Sequence, residues 1–449
     1  MRDTPLIGPY RPDDVLAWRQ AGPRTARQFL ADVLCLTELL PDRPVALNLA
    51  TSRYEFLVGF AAAMLRQQVT LLPHNRAPEA LRRLIEEYPD YYALTDSGEA
   101  IAGVASVAVQ SPDRQVLEMV AVPEIPVNQA VAVAFTSGST GTPKRNTKTW
   151  GALTAVAQAT GARLGMRPGG RTTVVATVPH QHMFGLEASV MLPILHGLTM
   201  HAARPLFPAD VESALSEANG PWLLVTTPLH LRACVAERIS VPPGGIVLSA
   251  TAPLPRNLAQ EAERQFQAEV HEIFGFAEAG SVAERRTVEE DLWRPLDGVR
   301  VTQSHASCAV HAWYLADPVT VPDRIIVDPQ GAFIVQGREE DHVNVAGHRV
   351  SLGDLNRKLL QIDGVEDGVF FLPDEEAGSV TRLMAFVVAP GQTSEDVQKA
   401  LRACIDPVFL PRPLVCVPSL PRNGTGKLPR EAVSELARHW LEKEENDGA

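Results

Sequence analysis

Cysteine is scarce and dispersed: Cys35, Cys234, Cys308, Cys404 and Cys416 are the only five in 449 residues, with no Cys-x-x-Cys among them. That spacing speaks against a disulfide framework or a thiolate metal site and for reduced thiols in a cytoplasmic protein. Long hydrophobic runs are missing too. The longest apolar stretch, residues 56–72, is interrupted by Arg66, Gln67 and Gln68, so no membrane span is expected. The first ten residues lack the apolar core of a secretion signal. Positive charge is in deficit, 41 Lys and Arg against 53 Asp and Glu for a net charge of −12, which argues against general binding to nucleic acid. The two commonest nucleotide-loop patterns, Gly-x4-Gly-Lys-Ser/Thr and Gly-x-Gly-x-x-Gly, are also absent.

What is present is the composition of an ordinary globular protein, 45% apolar and 21% charged, with length for two or more domains. Phe29, Val33, Leu36 and Leu40 recur at helical spacing within residues 25–40. A strand at 45–49, a buried helix at 55–65, a strand at 69–72 and a helix at 78–87 follow. Further strands are expected at 130–135, 172–177, 222–225, 246–248 and 269–273, with helical patterns between them. This alternation predicts an α/β fold with helix-covered parallel sheets. Each of the later strands ends in a stretch rich in chemistry, at the carboxyl ends where open α/β sheets place ligands. Beyond Arg338 a helix at 354–362, strands at 365–372 and 383–388 and a helix at 394–404 predict a small α+β domain. The expected division is therefore a large N-terminal domain, 1–338, and a small mobile C-terminal domain, 339–449.

The organising stretch is Phe-Thr-Ser-Gly-Ser-Thr-Gly-Thr-Pro-Lys at residues 135–144. Gly138 and Gly141 permit positive φ and close backbone approach, while Thr136, Ser137, Ser139 and Thr140 offer hydroxyls beside backbone amides. Lys144 adds one positive charge. Donors of this kind with a single cation and no carboxylate suit a polyphosphate, although composition alone describes a surface turn equally well. In order, the ten residues resemble the phosphate-binding signature of the adenylate-forming enzymes, the superfamily of acyl-CoA synthetases, aryl-CoA ligases, adenylation domains and luciferases.

Further segments carry the same resemblance in the same order. Pro179, His182 and Gly185 match the Pro-x-x-His-x-x-Gly segment, whose histidine stands near the carboxylate of the acyl substrate. The stretch 249–254 is similar to the turn that packs along adenine, with Ala250 and Thr251 in place of glycines. Phe274-Gly275-Phe276-Ala277-Glu278 resembles Tyr-Gly-x-Thr-Glu. There Phe274 would stack on adenine and Glu278 would hold magnesium against the ATP phosphates, while Ala277 departs from the usual threonine. Asp323, fifteen residues before Arg338, matches the ribose-binding aspartate. Glu340 occupies the hinge position, and Leu420 to Arg430 looks like the mobile glycine-rich loop that carries the catalytic lysine, here Lys427. The resemblance implies ATP and magnesium as cofactors and a two-step ligase. A carboxylic acid is first activated as acyl-adenylate with release of pyrophosphate, then passed to a thiol.

For the acid, the chain most resembles compact ligases of aryl-polyene and xanthomonadin-type pigment pathways, which implies a hydroxybenzoate. His182, Phe184, His230 and Phe276 are the candidate pocket residues. The acceptor is an acyl carrier protein or CoA, with Arg402, Arg412, Arg422 and Arg430 as candidate contacts for either. A fatty or 3-hydroxy fatty acid is the alternative substrate, and a catalytically lapsed nucleotide-binding protein is the alternative function, fed by Ala277, Glu340 and Asn344.

Overall fold

Thr25 caps the first long helix, Ala26–Leu39: its hydroxyl accepts the Gln28 amide while the Gln28 side chain accepts the Thr25 amide, so two orphan donors of the helix start are satisfied reciprocally. The next helix, Arg53–Leu65, is apolar on nearly all sides. It must therefore lie between layers, and it packs against Ala26–Leu39 and against strands Val45–Asn48 and Val69–Leu72. The computed structural model describes residues 3–73, 78–96, 104–111, 120–136, 144–218, 220–304, 307–338, 342–345, 348–373, 383–423 and 426–447.

Two sheets organise the large part of the chain. The first has the order Lys144–Thr149, Ala130–Thr136, Val69–Leu72, Val45–Asn48, Tyr91–Thr95, Ser106–Ala108, parallel except for its first pair. The second places Glu269–Phe276, Ile246–Ser249, Trp222–Thr226, Thr173–Ala176, Thr199–His201 and Val15–Trp18 side by side and parallel. Antiparallel strands, Gly280–Arg286 on one side and Arg24–Thr25 on the other, flank that run. The expected βα alternation is thus observed, with helices covering the faces.

A smaller core forms around Trp293, Val310, Ile325 and Phe333, where the strands Val299–Gln303 and Cys308–Ala312 meet the hairpin Asp323–Val327/Phe333–Arg338. The C-terminal part has a core of its own, with Leu352–Leu360 and Ser394–Leu401 packed on the sheet Asp367–Phe371, Met384–Val388, Leu414–Cys416. A large N-terminal part and a small C-terminal part, each with its own core, are thus both present. Among the described residues no helix is long and apolar enough to cross a membrane.

One buried cation ties the second sheet to the Arg53–Leu65 helix. Arg53 is 1% exposed, and its guanidinium donates to the carbonyls of Ala176, Val178, His201 and Ala203 and to the Ser189 hydroxyl. Burial, reinforced by Arg204, pushes its basicity down to about 9, so it stays charged at neutral pH. The fork therefore gathers the carboxyl ends of two neighbouring strands, Thr173–Ala176 and Thr199–His201, from which the His182 stretch and the Arg204 loop depart. Arg53→Leu should cost about 3–5 kcal/mol, because it strands buried carbonyls without donors; urea unfolding of the variant against the parent protein measures it.

Candidate functional site

Ala130–Thr136 and Lys144–Thr149 form a hairpin in which Thr136 and Lys144 are register partners. The glycine-rich stretch is thus the connection at the end of a strand that begins buried at Val131 and Ala132. Ser137, Gly138, Ser139, Thr140 and Gly141 lie outside the described residues, as does Glu340.

The His182 stretch follows directly from the strand Thr173–Ala176. His180 and Gln181 are buried and both reach the Ala50 carbonyl, at 3.0 and 2.9 Å, which pins the stretch to the first sheet's loops. His182 is half-buried and begins the short helix Met183–Leu186. Gly185 explains the spacing of the motif. A Cβ there would stand 2.0 Å from the Pro179 carbonyl oxygen, so the turn that presents His182 closes only on a glycine. Phe184 is half-buried and packs against the main core.

Beneath these segments lies a charged group that sequence reading missed. Lys148, 5% exposed, donates its ammonium to the Glu278 carbonyl at 2.8 Å. Glu187, 4% exposed, accepts the Ser281 amide at 3.1 Å and the Ser281 hydroxyl at 2.7 Å. Burial raises the Glu187 carboxyl above the usual carboxylate range, opposed by the Ser281 hydroxyl and the Lys148 charge. Burial also lowers Lys148, opposed by Glu187 and Glu278. The hairpin of the glycine-rich stretch, the helix after His182 and the turn carrying Glu278 are thereby locked to one another. A single carboxylate in the apolar run 186–195 and a lysine inside a strand were the available sequence signals.

The turn after Ile246–Ser249 is held by a second buried acid. Glu272 accepts from the Leu254 amide, from both Nε and Nη2 of Arg285 and from the Thr287 hydroxyl. In that turn Thr251 has φ +79°, a left-handed conformation costly for a β-branched residue, at a place where the family resemblance expects glycine. Phe274 and Phe276 turn to the Trp293–Phe333 core, with ring centroids of Phe274 at 5.6 Å from Trp293 and 5.4 Å from Phe333. Gly275 between them is forced by a close strand approach, since a Cβ would meet the Gly280 carbonyl at 2.5 Å. Ala277 and Glu278 follow in the tight turn before Gly280–Arg286.

Glu278 lines a cavity of about 620 Å³ with Leu315, Pro318, Thr320 and Pro322. Asp323 comes next in the chain and is the register partner of Arg338 in a hairpin closed at Gly331, where Asp328 caps the turn through the amides of Gln330 and Ala332. The expected turn and the two strands it joins are therefore present.

The lysine loop arrives from the small domain. Asn423 accepts the Lys427 amide on its side chain at 3.0 Å and donates its own amide to the Lys427 carbonyl at 2.8 Å. The part of the loop described is therefore a braced turn, with Lys427 itself exposed. A Cβ on Gly426 would lie 3.3 Å from the Thr227 hydroxyl and 3.8 Å from Leu229. Thr227 ends the strand Trp222–Thr226 and caps the helix Pro228–Ala236, where it also contacts His230 Nδ1 at 2.9 Å. Burial, then Arg204, lowers His230 from its ordinary value, so it is neutral at pH 7. The neighbours of that strand are Thr173–Ala176, which leads to His182, and Ile246–Ser249, which leads to Ala250. Gly426, the residue before Lys427, thus packs at the middle of three strand ends. Arg422, expected to be available for phosphate or an acidic partner, is instead engaged within the small domain by Asp367.

The chain belongs to the AMP-binding enzyme family: that family's model matches residues 31–319, and the model of its C-terminal domain matches residues 358–427. It is 30% identical over 280 residues to a 4-coumarate–CoA ligase of Rhodobacter capsulatus, covering 61% of this chain and 67% of that one. It is 30% identical over 305 residues to a 4-coumarate–CoA ligase of Halorhodospira halophila, covering 67% and 73%. The fold matches an anthranilate CoA ligase in complex with anthranoyl-AMP at a TM-score of 0.80 and 15% identity, covering 95% of each chain. It also matches the o-succinylbenzoate CoA synthetase of Bacillus subtilis in complex with AMP, at 0.78 and 17%, covering 94% and 95%. The protein is an ATP-binding acid–thiol ligase of the AMP-forming type.

Lys148→Met should cost about 3–5 kcal/mol by leaving Glu187 buried without its counter-charge, and Lys148→Met with Glu187→Gln should cost less than the two singles summed. Because the folded carboxyl is raised above its unfolded value, the single variant is most stable below the ordinary carboxylate range and loses stability as pH rises through the raised value. Denaturant midpoints of the cycle across pH 4 to 8 check both statements.

Proposed function

We propose that the acid is a small phenolic aromatic carboxylate, of the hydroxybenzoate or 4-coumarate class, that CoA is the favoured thiol, and that an acyl carrier protein is the alternative acceptor. The adenylation step that this reading presupposes is supported above all by the lysine loop, whose Gly426 packs on Thr227 between the strand ends that lead to His182 and Ala250. The bacterial relatives named for 4-coumarate support a ring with a phenol. Resemblance to the pigment-pathway ligases supports the shorter hydroxybenzoate. Half-buried His182 and Phe184 and neutral His230 supply the polar and apolar lining such an acid needs. Phe276, directed to the Trp293–Phe333 core, would border the site through the strand it belongs to.

A carboxylate oxygen attacks the α-phosphorus of ATP, the bond to the bridging oxygen of pyrophosphate breaks, and an acyl-adenylate forms. The thiol then gives up its proton to solvent as its sulfur bonds to the acyl carbon, the bond from that carbon to the phosphate oxygen breaks, and AMP leaves. Lys427 carries its ammonium to the carboxylate and the α-phosphate, where negative charge gathers. The glycine-rich stretch with Lys144 would receive the outer phosphates, Asp323 the ribose hydroxyls, and the Ala250–Thr251 turn with Phe274 and Gly275 the adenine.

Among the described residues no cluster of three or more His, Cys, Asp or Glu could hold a metal by itself. One carboxylate at the edge of a cavity nonetheless fits magnesium, which keeps waters and takes phosphate oxygens as its other ligands. Bound there, magnesium would neutralise phosphate charge; Glu278 would hold it, with the Glu278 backbone fixed by Lys148.

Pyrophosphate release from ATP is to be measured with 4-hydroxybenzoate, 3-hydroxybenzoate, 4-coumarate, fatty acids and amino acids, with CoA present and absent. Release with a phenolic aromatic acid and not with the others is the expected result; turnover of a fatty acid alone overturns the substrate reading. Lys427→Ala should lower adenylate formation by about a hundredfold or more, with thioester formation from supplied acyl-adenylate largely retained. Equal loss in both half-reactions contradicts the role given to Lys427.

A further inference from the structure

The Lys427 turn is tied to the core of the small domain by one arginine. Arg422 grips Asp367 with two prongs of its fork, Nε to Oδ2 and Nη2 to Oδ1, both at 2.7 Å. Its remaining nitrogen, Nη1, donates to the Gly426 carbonyl at 2.8 Å. Asp367 begins the strand Asp367–Phe371, which is fixed by its register with Met384–Val388, both in the domain's sheet. The carbonyl that Arg422 holds belongs to the peptide bond joining Gly426 to Lys427. A planar fork with both ends occupied has little rotational freedom, so it acts as a strut from the core sheet to the peptide carrying the lysine.

The large domain meets this strut with a charge of its own. Arg232 lies on the helix Pro228–Ala236, one turn beyond Pro228 and Leu229, on the face against which Gly426 packs. Arg422 joins Asp367 to Gly426, which packs on this helix, so the acids Glu366 and Asp367 face Arg232 across the domain boundary; burial lowers the basicity of Arg232, while Asp367 and Glu366 raise it and Arg422 lowers it. Two acids and two bases there sum to zero. If the small domain turned away, half-buried Arg232 would lose both carboxylates at once.

We propose that Arg422 is a positioning residue for Lys427, and that Arg232 is the large-domain anchor that keeps the lysine loop over the strand ends during adenylate formation and releases it afterwards. The proposal rests on the adenylation role of Lys427 given above. It adds two residues that do not touch the reacting atoms and whose effect is confined to one half-reaction.

The test uses the full chain with Arg422→Met, Arg422→Lys and Arg232→Met. Amide hydrogen exchange of the segment 420–428 needs no acid substrate. It should quicken about tenfold or more in Arg422→Met, be only partly restored in Arg422→Lys because the fork is lost, and leave the segment 384–388 unchanged. Pyrophosphate exchange with 4-coumarate and 4-hydroxybenzoate as probes should show kcat reduced about tenfold in Arg422→Met and Arg232→Met, with KM for ATP and acid unchanged. Thioester formation from synthetic coumaroyl-adenylate should be retained. Unchanged exchange at 420–428, or equal loss in both half-reactions, overturns the proposal. If the parent enzyme exchanges pyrophosphate with none of the acids, the adenylation reading fails while the amide exchange still decides the strut.

Discussion

The buried contact between Lys148 and the Glu278 carbonyl, with Glu187 beside it as counter-charge, is the interaction on which the candidate site depends. Each of its members comes from a different segment: the hairpin of the glycine-rich stretch, the helix after His182, and the turn between two antiparallel strands. A buried ammonium and a buried carboxylate are each costly in isolation, so each restricts the other to one place. Three stretches up to 130 residues apart in the chain are consequently held in one geometry. This arrangement gives a defined position to the backbone of Glu278, a residue that lines the cavity.

Arg53 and Glu272 repeat the same device on the second sheet. One gathers carbonyls at the ends of neighbouring strands; the other holds the amide of the Ala250–Leu254 turn. Charged side chains thus secure loops that carry too little apolar surface to be fixed by packing. A different logic serves the lysine that the proposed mechanism moves into and out of the site. Its support is internal to the small domain, through Asn423 and Arg422, so that the turn is braced as a unit. The strained backbone of Thr251 belongs to the same economy of the site, since the surrounding turn is anchored firmly enough to hold an unfavourable φ.

Several elements were legible because local periodicity and burial agreed. The expected strands at 45–49, 69–72 and 130–135 are observed as Val45–Asn48, Val69–Leu72 and Ala130–Thr136, and the helix expected at 25–40 as Ala26–Leu39. The turn at Asp328 was legible from its own side-chain capping chemistry. Arg422 was misread because an arginine near a lysine loop has the same appearance in sequence whether it meets a ligand or a carboxylate 55 residues away. Arg53, Lys148, Glu187 and Glu272 were passed over for a related reason: a charged residue in an apolar run has no recognisable partner until the chain is folded.

The sequence by itself determined the family, the order of the motifs and the alternation of strands and helices. These depend on residue identity and on spacing within a few turns of chain, where chemistry and periodicity act locally. Only the tertiary structure decided which buried charges meet, which glycines are demanded by a passing backbone, as at Gly185 and Gly275, and where the lysine loop rests. Those outcomes depend on distances between remote segments, and Coulomb attraction and steric exclusion carry no mark in the sequence of the partner they will find.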